Sequence, residues 1–355
     1  MRIVLAYAGS LAGSAAIVWL RERQGAEVVT ATLDLGQGRV LEAVRDRALA
    51  LGALRAHVLD ARDVFAQEFV VPALRADALH DGRVPMALAL SRPLIARTLV
   101  EMAAIEKAGA VAHTGRVTGD PSAPGASPLD RLLCSLAPGL PVLTPARDWT
   151  LGPDDLAAFA HRHGLPSTSD DARPVESNLW GRSQPLDAAG PLDRTRAQGP
   201  WPGEPAFVDI SFSRGIPTAL NGVALPLLEL VASLGTLAST HGVGPVRTAA
   251  VTCDAPAALL LHAAHRDLTR AVCPGTVGPF ADAATAAYID AVEQARWFSP
   301  LREGLDAFFG VAQAAVSGHV RLRLFRGSYS TVTTEPTPPS PPPAMPSVAP
   351  SHAQH

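Results

Sequence analysis

The sequence predicts an α/β chain: a parallel-sheet domain with a phosphate-type loop, followed by an α+β domain. Three observations carry this. An apolar run, Ile3–Ala6, leads through Tyr7 into a Gly/Ser turn ending at Ser14, and then into a second apolar run, Ala15–Leu20. Strand-like runs then recur at Val28–Leu33, Ala56–Leu59 and Val111–Thr114 with helical stretches between them, the alternation that builds parallel sheets. Near residue 165 this alternation gives way to half-buried strands and amphipathic helices.

Strand, small-residue loop and helix, in that order, aim backbone N–H groups and the positive end of a helix at an anion, usually a phosphate. The helix Ala15–Gln24 and the strand Val28–Leu33 complete a βαβ unit. Asp34-Leu35-Gly36-Gln37-Gly38 follows as a turn at the carboxyl end of a strand, where open α/β sheets hold their ligands. A helix is expected over Val40–Leu51. Phe65–Leu79 reads as helical, with Pro72 starting or kinking a segment. Residues 86–107 are helical apart from Pro93, and Gly115–Ser127 is a Gly/Pro/Ser-rich loop. Pro141–Thr144 is a last strand, and the helix Asp154–His163 stops at Gly164-Leu165-Pro166.

In the second part, Asn178–Ser183 falls in a loop region, and residues 184–205 have no periodicity. Phe207–Phe212 alternates as a half-buried strand, and Gly215–Leu220 runs into an Asn221-Gly222 hairpin turn. Helices are expected at Pro226–Thr240, Ala257–Arg270, Ala281–Trp297 and Leu301–Ala315. Val320–Phe325 alternates, with Arg321 and Arg323 outward. The expected division is 1–165, 166–333 and a disordered Pro-rich tail, 334–355.

Composition narrows the function. The net charge of −3 gives no polyelectrolyte footprint for nucleic acid. Lys107 is the only lysine, so no lysine clamp on phosphate exists elsewhere. Cys134, Cys253 and Cys273 lack metal spacing and suit a reducing compartment, hence the cytoplasm. No apolar run approaches the roughly 18 residues of a membrane helix. His262 and His265 lie three apart on one helix without an evident third ligand, so buried hydrogen bonding is the expected role.

Several stretches together resemble argininosuccinate synthase: VPALRADALHDGR at Val71–Arg83, Ser91-Arg92-Pro93, NLWGRS at Asn178–Ser183, PTALNG at Pro217–Gly222, HGVG at His241–Gly244, HAAHR at His262–Arg266, and WFSPLREGLDAF at Trp297–Phe308. They stand in the family's order and span nearly all of the chain outside the tail. The resemblance implies an N-type ATP pyrophosphatase domain joined to a synthase domain. The family's reaction activates the ureido oxygen of citrulline at the α-phosphate of ATP, with magnesium offsetting charge and pyrophosphate leaving. The amine of aspartate then displaces AMP. The expected partners are therefore citrulline, aspartate and ATP with Mg2+, within a homo-oligomer.

The resemblance places ATP contacts on Ala6, Tyr7, Gly9, Ser10, Ser14 and Leu33, and citrulline contacts on Ser183 and Arg92. Arg92 reads either as a carboxylate or phosphate partner or as an ion pair fixing its helix. No catalytic or metal-ligating residue of the family carries over. The family's loop S-G-G-L-D-T-S stands as Ala8-Gly9-Ser10-Leu11-Ala12-Gly13-Ser14, without its first hydroxyl and without its carboxylate. Val84 and Leu88 replace a tyrosine and a hydroxyl residue that bind citrulline. Thr114–Asp130 replaces the family's aspartate and citrulline loop, with Pro128 at the place of an arginine and Asp130 at that of a glutamate. Arg173-Pro174 replaces Tyr-Ser, Cys253 replaces a tyrosine, and the family's C-terminal helical arm gives way to the Pro-rich tail. Two readings follow. The chain is a ligase with reduced or altered activity, or a non-catalytic paralogue acting as scaffold, sensor or partner subunit in a hetero-oligomer with a true synthase.

Overall fold

The computed structural model describes residues 1–38, 41–115, 127–145, 153–165, 176–185, 201–248, 251–273 and 278–337. Its first half alternates as expected: β1 (Arg2–Ala6), α1 (Leu11–Gln24), β2 (Glu27–Asp34), α2 (Leu41–Ala50) and β3 (Arg55–Asp60). α3 (Arg62–Phe65), a π turn (Ala66–Val70) and α4 (Val71–Arg75) follow. Pro72 lies in the first turn of α4, where a missing N–H costs nothing. A short hairpin, β4 (Leu79–His80) and β5 (Val84–Pro85), leads into α5 (Ala87–Ile105), which runs unbroken through Pro93. β6 (Ala110–Ala112), α6 (Pro128–Leu136), β7 (Val142–Leu143) and α7 (Pro153–Arg162) complete this half.

The sheet order is β3-β2-β1-β6-β7, and every pairing is parallel. The inner strands β1, β2 and β6 are buried on both faces, which explains their largely apolar character. Ile3 and Leu5 pack on one side with Ile17, Leu20 and Val28. Val4 packs on the other with Val29, Leu99 and Val111.

The second half contains β8 (Glu176–Asn178), β9 (Gly181–Pro185), β10 (Ala206–Ser213), β11 (Ile216–Leu220), β12 (Val223–Ala224), α8 (Leu227–Thr240), β13 (Pro245–Arg247) and β14 (Val251–Asp254). It continues with α9 (Pro256–Val272), α10 (Gly278–Glu293), α11 (Pro300–Ala312), a 3-10 turn (Gln313–Ala315), β15 (Gly318–Phe325) and β16 (Ser328–Pro336). One sheet has the order β12-β11-β10-β15-β16, and a second has β13-β14-β9-β8. Among the described residues no helix is long and apolar enough to cross a membrane.

Three expectations change. NLWGRS is not a loop: it forms the tip of the β8–β9 hairpin, with Trp180 buried beneath it. The folded chain runs past residue 333, because β16 pairs with β15 as far as Pro336. Arg321 faces outward, whereas Arg323 is half-buried with its guanidinium over the Phe325 ring. Residues 186–200 of the aperiodic excursion, 116–126 of the Gly/Pro/Ser-rich loop, Arg173-Pro174 and 338–355 of the tail lie outside the described residues.

The two halves are joined around Arg75–His80. Asp77 adopts a left-handed backbone, φ 48, which short polar side chains tolerate. Its carboxylate accepts from Arg266 Nε at 2.7 Å and lies 3.0 Å from His262 Nδ1, both on α9. Gln313 Nε2 donates to the Arg75 carbonyl at 3.2 Å, and its Oε1 accepts from His265 Nε2 at 2.9 Å. Thr285 on α10 donates to the Ala76 carbonyl at 2.8 Å, Arg75 reaches the Arg214 carbonyl at 2.8 Å, and His80 pairs closely with Glu293. The two α9 histidines thus hold separate partners. Burial drives the His265 pKa down to about 4, so it is a neutral Nε2–H donor.

Burial alone would raise the Asp77 pKa, but hydrogen bonds from His262 and Arg266 outweigh it and hold the carboxyl below its ordinary value. A lowered folded pKa stabilises above the unfolded value and is lost as pH falls through the folded one. Asp77→Ala should therefore cost about 2–4 kcal/mol at neutral pH by urea unfolding. That difference from wild type should shrink only in acid, below the ordinary carboxylate range. An equal difference at neutral and acid pH would show that the carboxylate is not the joining group.

Candidate active site

The Gly/Ser turn leaves β1 at the carboxyl edge of the parallel sheet, between β2 and β6 on either side. Ala6 is half-buried in register with Ala31. Tyr7 turns inward: its N–H bonds the Ala31 carbonyl at 3.0 Å, and its carbonyl accepts from Thr32 Oγ1 at 2.8 Å. Its phenol lies against Gly13, where an added Cβ would stand 2.9 Å from the ring. The phenolic oxygen and Ser14 Oγ share a buried hydrogen bond of 3.0 Å. Ser10, exposed, caps α1 by accepting the Gly13 N–H at 3.1 Å. Gly9 adopts φ +81, and a Cβ there would meet Val44 of α2 at 3.1 Å. Arg47, also on α2, donates to the Gly9 carbonyl at 2.8 Å and fixes the turn from outside.

Beside this loop lies the turn after β2. Asp34 Oδ1 accepts the Gly36 N–H at 2.9 Å, and Gln37 accepts from Leu35 N at 2.7 Å. Gln37 Nε2 donates to the Leu33 carbonyl at 2.7 Å, so the expected adenine contact at Leu33 has its carbonyl already engaged. Gly36, φ +83, is required by close approach: a Cβ would stand 2.8 Å from Leu179 of the β8–β9 hairpin. The Leu179 N–H bonds the Leu35 carbonyl at 2.7 Å, bringing the second half against this edge of the sheet.

On the other side, His113 follows β6 at the same sheet edge and is buried. Its Nε2 lies 2.5 Å from Asp130 Oδ1, and its Nδ1 accepts the Gly115 N–H at 3.1 Å. Asp130 also closes a capping box with Ser127 at the start of α6. Both ends of the Gly115–Ser127 stretch are therefore pinned to one imidazole. The signal was legible as Ser127-x-x-Asp130, a helix-start pattern; its link to His113 was not.

The residues expected to contact citrulline, Arg92 and Ser183, lie on α5 and β9. Asn178 Nδ2 holds the hairpin to the Ala87 carbonyl at 2.8 Å. Ser183, buried, is in register with Glu176 on one side and Cys253 on the other. Burial pushes the Cys253 thiol up to about 11, against a smaller lowering by its hydrogen bond to Ser183, which makes it no nucleophile. Leu88 stands one turn before Arg92 on α5, and Val84 is buried at the helix entry. Arg92 and Ser183 are thus brought to one region through Glu176, whose charge acts on Arg92.

Sequence comparison decides the family. Residues 2–166 match the arginosuccinate synthase N-terminal HUP domain, and residues 192–338 match the arginosuccinate synthase C-terminal domain. The chain belongs to the argininosuccinate synthase family. It is 39% identical over 360 residues to the argininosuccinate synthase of Rubrobacter xylanophilus, covering 95% of this chain and 86% of that one. Identity to the argininosuccinate synthase of Brevibacillus brevis is 37%, covering 92% and 82%, and to that of Oceanobacillus iheyensis 34%, covering 94% and 84%.

The magnesium that argininosuccinate synthase chemistry implies does not fit this loop as a protein-held ion. Mg2+ takes carboxylate oxygens, and Ala8 and Ala12 offer methyl groups. The adjacent carboxylate, Asp34, accepts Gly36 N and lies 3.6 Å from Arg62. Among the described residues no three His, Cys, Asp or Glu side chains are grouped to bind a metal.

Gly9→Ala should destabilise the fold by about 1–3 kcal/mol, because alanine gains left-handed strain and presses on Val44. Thermal unfolding measures this, and an unchanged midpoint would show that the turn relaxes freely.

Proposed function

We propose that this chain keeps the argininosuccinate synthase fold and its acceptor crevice while ligating citrulline to aspartate weakly or not at all. It then serves as a small-molecule sensor or as a partner subunit of a true synthase. The observation that carries this reading is the state of the phosphate loop. Position 8 has no hydroxyl and position 12 no carboxylate. The Ser14 hydroxyl is turned inward onto Tyr7, and Ser10 is engaged in capping α1. Catalysis of phosphoryl attack rests on positioned charge and hydrogen-bond donors at the phosphates, and this loop offers backbone N–H groups with few side chains to help them.

A second reading is favoured by the acceptor side. Val84 and Leu88 present apolar groups where the family hydrogen-bonds citrulline. Each unpaired polar group of that substrate would cost about 1–3 kcal/mol. An altered acceptor ligated with ATP suits those side chains better than citrulline.

The deciding experiment is pyrophosphate release with ATP, magnesium, citrulline and aspartate. Turnover should stay below about 0.1 per second, whereas about 1 per second or more, ordinary for an enzyme, overturns the proposal. Joint restoration of the loop by Ala8→Ser and Ala12→Asp should strengthen nucleotide binding by about tenfold, read by calorimetry with Mg-ATP. No change would mean that the backbone of the loop no longer receives phosphate.

A further inference from the structure

α11 keeps a charged pair half-buried and leaves apolar side chains outside. Arg302 reaches Asp306 at 2.5 Å and sets its guanidinium 4.1 Å from the centre of the buried Trp297 ring. Leu301, Gly304, Phe308 and Val311 recur at helical spacing on the outer side. Leu301 is 51% exposed and Val311 79%. Glu303 is the only exposed charge of this helix. Phe280 of α10, 63% exposed, brings its ring edge-on to Phe308 with centroids 5.0 Å apart. An apolar ridge shared by two packed helices marks a contact surface.

The described chain ends close to this ridge. β16 pairs with β15 as far as Pro336, opposite Gly318, and the Thr337 N–H donates to the Ser317 carbonyl at 2.8 Å. Only the 3-10 turn Gln313–Ala315 and Val316 separate Ser317 from the end of α11. The chain therefore leaves the fold near the C-terminal end of that helix. The residues that follow, Pro338–Pro346, read PPSPPPAMP and carry no charge. Proline-rich sequence favours polyproline II, which loses little freedom on docking and is recognised by aromatic surfaces. At about 3.1 Å per residue, Pro338–Met345 spans about 25 Å, against about 20 Å for the length of α11.

We propose that Pro338–Met345 turns back along α11 as a polyproline II segment and seats its prolines on Phe280 and Phe308, between Val311 and Leu301. The contact buries no charge of the segment. Its anchor at Thr337 makes docking intramolecular, so a high effective concentration favours the segment over a second copy of the chain on the same ridge.

The test is photo-cross-linking of the full chain with p-benzoylphenylalanine in place of Phe280, which keeps a ring at an exposed position and should leave the unfolding midpoint unchanged. Mass spectrometry should find the cross-link on residues 338–346 of the same molecule, with a yield independent of protein concentration. Pro341→Gly, Pro342→Gly and Pro343→Gly introduced together should lower that yield about threefold or more, because glycine loses more freedom on docking. Cross-links confined to α10 and α11, or an undiminished yield in the glycine variant, would overturn the proposal. Cross-links between molecules, rising with concentration, would assign the ridge to a second copy and overturn it as well.

Discussion

One carboxylate stands at the centre of the junction between the two halves. Asp77, in a left-handed kink between α4 and β4, is gripped by two groups of one helix, α9. Around it, Gln313, Thr285 and Arg75 satisfy backbone carbonyls across the same boundary. Buried backbone groups must find partners, and here the partners come from the other half of the chain. The consequence reaches the site. With α9 fixed against Arg75–His80, the β8–β9 hairpin comes down on the turn after β2, and Leu179 meets Gly36. The spacing between the carboxyl edge of the parallel sheet and the β8–β9–β14 strands is thus set far from either.

The elements that could be read from sequence were those with an apolar face. β1 and β2 declared themselves because the doubly covered middle of a parallel sheet demands continuous apolar runs. α5 survived Pro93 because packing along both β1 and α6 outweighs one missing hydrogen bond. β16 did not declare itself: Ser328–Pro336 has almost no buried face, and its pairing is carried by backbone hydrogen bonds to β15. β14 was hidden for another reason. Its four residues, VTCD, are too few to show a period, and burial of Cys253 is imposed by β9.

The site was legible as composition but not as direction. The sequence showed that Ser14 was present; it could not show that Tyr7 draws the hydroxyl into the core. Arg92 was visible as a cation with two roles open, and the structure shows no ion pair fixing its helix among the described residues. His113, Ser127 and Asp130 were missed as a unit, since His113 follows a strand end and Ser127 and Asp130 open a helix across the intervening loop. Charge relations of that kind depend on which elements lie side by side, and no local pattern records them.

β16 has one further consequence. It is the outer strand of its sheet, and an open row of backbone donors and acceptors is a template on which another chain can crystallise into fibrils. The row ends at Pro336, which has no N–H to donate, and more prolines follow in sequence. A strand added along this edge would therefore find no backbone donor at its last position, and the register in which it could pair is cut short there.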